Sequence, residues 1–140
     1  MAAVKHAAHG YDMDIPGKDS WQHFRAGAET VVLVGPDSMT VHERKSEEPR
    51  LDDALDIINC HQDIDLVLVE GFKSEPGPKI QIVRGDDFIP EDLDPNSVAI
   101  VSDSPLPLEL PCFYAQNLDP LADFIVANFM KKETPLAKSK

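Results

Sequence analysis

Three short runs of almost unbroken apolar residues constrain the fold of this chain more than any other feature: Thr30-Val31-Val32-Leu33-Val34, Ile64-Asp65-Leu66-Val67-Leu68-Val69 and Val98-Ala99-Ile100-Val101. A run of this length without polar alternation suits a strand covered on both faces, as in a parallel sheet with helices above and below. Stretches with helical spacing lie between the runs. Trp21 and Phe24 stand three apart. Leu51, Leu55 and Ile58 form a stripe behind Asp52 and Asp53, which suit a positive first turn, and Leu121, Phe124, Ile125 and Phe129 form another behind Asp119-Pro120. Repetition of strand, helix, strand predicts an α/β fold with a mainly parallel sheet. Its strands are expected near Ala2 to Lys5, 30–34, 64–69 and 98–101, and its helices near Ser20 to Ala26, Leu51 to His61 and Pro120 to Lys131.

Local signals refine this outline. Asp19 or Ser20 is expected to cap the first helix, which ends near Gly27. Asp119 is expected to cap the last, with Pro120 where a missing N–H costs nothing and Lys131 and Lys132 at the negative end. Ser38 to His42 reads as a more exposed strand, Lys79 to Arg84 as an alternating, peripheral one, and Glu43 to Arg50 as a charged loop. Asp86 to Asn96, with Pro90 and Pro95, reads as a surface loop. A chain of 140 residues fits one domain, here 1–132, with a disordered tail over 133–140.

The formal net charge of −12 argues against nucleic acid and anionic membrane as partners, since both would be repelled. No apolar run approaches the roughly 20 residues of a membrane span. Cys60 and Cys112 are far apart and outside any CxxC spacing, so they read as small buried hydrophobes in a reducing compartment. These features together point to the cytoplasm.

Three segments carry candidate chemistry. The first, Val4 to Ser20, places Lys5, His6, His9, Asp12, Asp14, Lys18 and Asp19 with Pro16-Gly17 between a short strand and a capped helix, where α/β proteins hold ligands. His6, His9, Asp12 and Asp14 could converge on a metal, but their spacing matches no recognised ligand set, and a solvated polar loop is the simpler description. The second is the apolar strand ending in Glu70-Gly71, the shape of a Walker B strand. A carboxylate there is expected to emerge beside a cation, a water or a helix N-terminus, and in a phosphate site it holds Mg²⁺ or orients water; the alternative is a simple turn. The third is Ser102-Asp103-Ser104-Pro105 after a buried strand, where a carboxylate could read the paired donors of a guanine edge, the alternative again being a turn.

Taken together, these blocks resemble the MobB family of molybdopterin-guanine dinucleotide biosynthesis adaptors. The match rests on Val4-Lys5-His6 through Asp12, Asp14, Pro16-Gly17-Lys18-Asp19-Ser20 and Arg25-Ala26-Gly27-Ala28. It continues in Asp65 to Lys73 with Pro78-Lys79-Ile80, and in Ala99 to Leu106 with the Leu121 to Ile125 helix. The resemblance implies a P-loop GTPase-like fold, GTP and Mg²⁺ as ligands, weak hydrolysis and a homodimer. It also implies assistance to a MobA-like guanylyltransferase that attaches GMP to molybdopterin. In its terms Glu70 is the catalytic and Mg²⁺ carboxylate. Lys5, His6, Asp14, Lys18, Asp19, Gly71 and Lys73 lie near phosphates or pterin, and Ser102 and Asp103 near the guanine.

Two departures qualify these expectations. Ala8 and Gly10 stand where the family often has His and Asp. The family's first strand, its GxxxxGK[ST] loop and its first helix have no counterpart here: the glycines fall at 10, 17, 27, 35, 71, 77 and 85, never in a GK[ST] context. Without the backbone cradle and lysine of such a loop, most triphosphate affinity is expected to be missing, and an apolar strand edge is expected to lie open. A nucleotide-free adaptor of the same pathway is therefore the alternative function, and a divalent-metal module a third.

Overall fold

The computed structural model describes residues 1–12, 14–84 and 88–130. In chain order its elements are β1 (Ala2–Lys5), α1 (Asp19–Arg25), β2 (Thr30–Val34), β3 (Met39–Glu43), α2 (Leu51–Asn59), β4 (Val67–Glu70) and β5 (Lys79–Ile82). A 3-10 turn (Pro90–Asp92), β6 (Ser97–Ser102), β7 (Cys112–Tyr114) and α3 (Asp119–Phe129) follow. The α/β alternation is that expected, and the strands group into sheets ordered β1-β4, β2-β3 and β5-β6-β7. Lys131, Lys132, the tail over 133–140 and part of the Asp86 to Asn96 loop lie outside the described residues.

One compact unit comprises Ala2–Gln62 with Leu68–Phe72. Here the structure corrects the reading of 30–34. β2 does not join a parallel sheet; it pairs antiparallel with β3, Val32 opposite Val41 and Val34 opposite Met39. Gly35-Pro36-Asp37-Ser38 is turn chemistry, and the Gly35 N–H donates to the Ser38 carbonyl at 2.8 Å, closing a hairpin. Helix α1 covers one face of the hairpin in part. Val31 and Leu33 line a depression with Trp21 and Phe24 of α1, while Val32, Val34, Met39 and Val41 on the other face are exposed, Val34 to 78%.

Phe24 locks α1 onto the hairpin. Its ring stacks on His42 at 3.7 Å between centroids, and the Arg44 guanidinium lies 3.9 Å from the same ring. Arg44 Nε donates to the Ala28 carbonyl at 3.1 Å and Nη2 to that of Phe24. In α2, Leu51, Ala54, Leu55 and Ile58 are its half-buried positions, the i, i+3, i+4, i+7 stripe of an amphipathic helix. Asp53 accepts the Arg50 N–H at 2.8 Å, closing the exposed first turn.

The other unit takes Met1, Asp63–Val67 and the chain from Lys73. β6 is central in its sheet and parallel to both neighbours, Ile100 opposite Gln81 on one side and Cys112 on the other. Flanked on both sides, β6 buries Ala99 and Ile100 completely and Val101 and Ser102 almost so. β7, three residues between Pro111 and a turn, carries too short a run to announce itself in the sequence. Phe113 meets Phe124 of α3 at 5.4 Å, and Phe124 meets Phe129 edge-on at 6.2 Å, so the predicted helical stripe packs as aromatics.

Both expected aspartate caps shift by a residue. Lys18 and Leu118 precede the first helical residues of α1 and α3, so Asp19 and Asp119 already lie in the first turns. Their carboxylates then favour the positive helix end by charge alone. Side chains further upstream reach both helix starts: Asn117 Oδ1 takes the Asp119 N–H at 3.3 Å, and Asp14 takes the Ser20 hydroxyl.

Candidate functional site

Lys5 and Glu70 close β1 and β4, two strands that pair, and the ends of their side chains meet at 2.9 Å. The cation expected beside Glu70 is thus Lys5. Both side chains are about 70% exposed (68% and 71%), and an ion pair so solvated contributes at most about 1 kcal/mol. The fold does not depend on it, and both charges are open to a ligand.

The chain then turns sharply. Gly71 has φ +89°, and a Cβ built there would sit 2.6 Å from the Cβ of His6, so glycine is required both by conformation and by space. Phe72 follows with φ +50°, a left-handed conformation costing an L-residue roughly 1–2 kcal/mol. That turn lays the Phe72 ring on the imidazole of His6, centroids 4.4 Å apart and planes 18° off parallel. The His6 N–H donates to the Glu70 carbonyl at 2.8 Å, and His6 Nε2 lies 3.0 Å from Glu48 Oε1. Lys5, His6, Glu70 and Gly71 are therefore assembled at one paired strand end, with Phe72 and, from the charged loop, Glu48 as the partners of His6.

In the same unit Asp14 binds the start of α1. It accepts the Ser20 hydroxyl and, at 2.7 Å, the Ile15 N–H. The Ser20 hydrogen bond, helped by the Ile15 N–H and the charge of Lys18, holds the Asp14 carboxyl below the usual range. Asp14 thus has a structural task whatever else it binds. Lys18 and Asp19 are exposed where the loop enters the helix, after Gly17 at φ +90°. Asp12, Asp14, Tyr11 and Trp21 border a depression of about 130 Å³. Among the described residues no three His, Cys, Asp or Glu side chains gather as a metal site.

Lys73, Ser102 and Asp103 belong to the other unit. Ser102 is buried; its Oγ accepts the Ser104 N–H at 3.2 Å and its carbonyl accepts the Ala115 N–H at 3.0 Å, so it shapes the turn in which exposed Asp103 sits. The Lys73 carbonyl accepts Lys79 Nζ at 2.6 Å, and the same ammonium reaches Asp94 Oδ2 at 2.6 Å. Gln81 Oε1 accepts the Asp94 N–H at 3.0 Å and the Ser97 hydroxyl at 3.1 Å. The acidic loop is therefore fastened to β5 by polar side chains. A polar residue every second position, Lys79 then Gln81, was the available signal for this.

The family model for Molybdopterin guanine dinucleotide synthesis protein B, MobB, matches residues 1–103. The chain belongs to the MobB family. It is 35% identical over 136 residues to the molybdopterin-guanine dinucleotide biosynthesis adapter protein of Escherichia coli K12, covering 93% of this chain and 76% of that protein. To the Haemophilus influenzae protein of the same description it is 33% identical over 129 residues, covering 89% and 70%. In fold it is similar to the crystal structure of Bacillus subtilis MobB, with a TM-score of 0.68 and 28% identity over 94% of this chain and 80% of that one. The MobB match includes every candidate residue from Lys5 to Asp103, and also Glu48 and Phe72.

One exposed carboxylate, already bonded through one oxygen to a lysine, fits a hydrated Mg²⁺ that takes its remaining ligands from water and phosphate. It does not fit an all-protein cage. Among the described residues, no helix is long and apolar enough to cross a membrane.

Proposed function

We propose that this MobB family member acts as an accessory protein in attaching GMP to molybdopterin, holding Mg²⁺-GTP at the paired ends of β1 and β4 and delivering it to a MobA-like guanylyltransferase in the cytoplasm. The observation that carries this reading is the solvated Lys5–Glu70 pair set against a glycine that the backbone cannot replace. Lys5 supplies a point charge to a phosphate oxygen, and Glu70 holds the Mg²⁺ through water or orients a water. Lys18 and Asp19 are further phosphate or pterin contacts in this reading. His6 and Asp14 border the ligand. The homodimer of this reading buries the exposed apolar face of Val32, Val34, Met39 and Val41.

The nucleotide-free adaptor of the same pathway is the second reading. Calorimetric titration with Mg²⁺-GTP separates the two. The expected result is binding weaker than micromolar by the chain as given. A version preceded by a strand, GxxxxGK[ST] loop and helix is expected to bind at least tenfold tighter, losing its Mg²⁺ dependence in Glu70→Gln. Micromolar binding by the chain alone, beyond about −8 kcal/mol, overturns the need for the cradle. Failure of either version to raise the yield of guanylylated molybdopterin overturns the accessory role.

A further inference from the structure

The imidazole of His6 is constrained from three directions. Its own backbone is bonded to the Glu70 carbonyl, its ring face is covered by Phe72, and its Nε2 lies 3.0 Å from Glu48 Oε1. The backbone contortion at Gly71 and Phe72 serves this arrangement: the left-handed φ of +50° at Phe72 brings its ring onto the imidazole, and the missing Cβ at Gly71 leaves room for His6. Strained conformations of that kind persist where the surroundings over-determine them, commonly at ligand sites. An unconstrained surface histidine rotates and exchanges both neutral tautomers. This one has little freedom, with its side chain only 28% exposed.

An ionised carboxylate accepts hydrogen bonds and cannot donate them. In neutral His6 the proton therefore belongs on Nε2, facing Glu48, and Nδ1 is left as the acceptor. We propose that Glu48 is a positioning residue that holds His6 in one tautomer and one orientation, so that Nδ1 accepts an O–H or N–H of the ligand gathered by Lys5 and Glu70. The identity of that ligand rests on the nucleotide reading above; the state of the ring does not. Glu48 lies in the Glu43 to Arg50 stretch, which the sequence marks only as charged loop, so this assigns a task to a residue that charge pattern alone leaves as solvated surface.

The test compares the whole chain with Glu48→Gln and Glu48→Ala. The ring nitrogen signals of His6, identified by their loss in His6→Asn, are recorded by NMR without ligand at about pH 8.5, where an ordinary imidazole is neutral. The glutamine amide can accept from Nε2–H or donate to a bare Nε2, so Glu48→Gln is expected to keep the contact but lose the single-tautomer pattern, and to bind Mg²⁺-GTP between wild type and Glu48→Ala. Glu48→Ala is expected to show two exchanging tautomers and about fivefold weaker binding, the effect of one lost hydrogen bond. Its thermal midpoint should not move, because the Glu48 side chain is 76% exposed and the contact is solvated. His6 signals in Glu48→Ala identical to wild type overturn the inference, as does unchanged affinity where wild type binds. Altered signals with no Mg²⁺-GTP binding by any of the proteins sustain the positioning of the ring and remove the nucleotide reading instead.

Discussion

β2 and β6 are nearly interchangeable as strings, Thr-Val-Val-Leu-Val against Ser-Val-Ala-Ile-Val-Ser, yet they end in opposite environments. β6 has a parallel neighbour on each side and contributes most of the buried residues; Ala99 and Ile100 lose all contact with solvent. β2 has one antiparallel neighbour in its sheet, and its outer face stays bare with Val34 at 78% exposure. The contrast teaches that an apolar run specifies that a strand wants covering on both faces, while what covers it depends on segments far away in the chain or on another molecule. In β6 the cover is within the chain. In β2 it is proposed to be a second copy.

The strongest way to break this comparison is to shorten one side chain in each strand. Ile100→Ala is expected to cost about 2–5 kcal/mol of unfolding free energy in urea, because it empties a fully enclosed position. Val34→Ala should change a monomer by less than about 0.5 kcal/mol. A loss at Val34 comparable to that at Ile100 means that the hairpin face is buried in solution.

A second measurement compares two glycines with left-handed backbones. Gly71→Ala meets the Cβ of His6 at 2.6 Å, whereas an alanine at Gly27, φ +104°, meets nothing within 4 Å. The expected cost at Gly71 is about 1–3 kcal/mol with displacement of the His6 ring, and that at Gly27 about 1 kcal/mol. Equal effects, read by thermal unfolding, would mean that conformation alone and not the approach of β1 to β4 dictates Gly71.

Charging the bare face sharpens the dimer side of the comparison. Val34→Lys with Val41→Lys should leave the fold intact by circular dichroism and convert a dimer to a monomer in analytical ultracentrifugation. An unchanged sedimentation coefficient removes the hairpin from the interface.

The smallest effect concerns acid stability. Asp94 is held below its usual range, first by the Lys79 hydrogen bond and then by the Asn96 N–H. A carboxyl depressed in the folded state contributes stability above its unfolded value of 3.8, and that contribution disappears as pH falls through the lower folded value. Wild type should therefore lose stability below about pH 4 more steeply than Asp94→Asn, whose profile in that window is flatter. Parallel profiles for the two proteins would show that the Asp94 clasp is idle.

Much was legible from residues alone. The helical stripes of α2 and α3, the exposed strand at Met39–Glu43, the peripheral β5 and the central apolar β6 all followed from local periodicity, since burial of one face leaves its period in the sequence. The candidate strand ends were legible for a related reason: a carboxylate and a glycine closing an apolar strand mark where the chain leaves the sheet. The two helix starts were misread by one residue because an aspartate serves either as a capping side chain or as a charge in the first turn. Only the backbone torsions distinguish these roles.

What the amino-acid order determined by itself is therefore the class of fold and the family. Periodicity, turn chemistry and motif spacing are properties of near neighbours in the chain. The tertiary structure alone decided that β2 turns back on β3, that Lys5 faces Glu70 across 65 positions, and that Glu48 and Phe72 confine His6. Each of those depends on strand pairing and loop closure between segments distant in sequence. The hydrogen bonds and ring contacts that result are short-ranged forces between residues whose proximity no local pattern encodes.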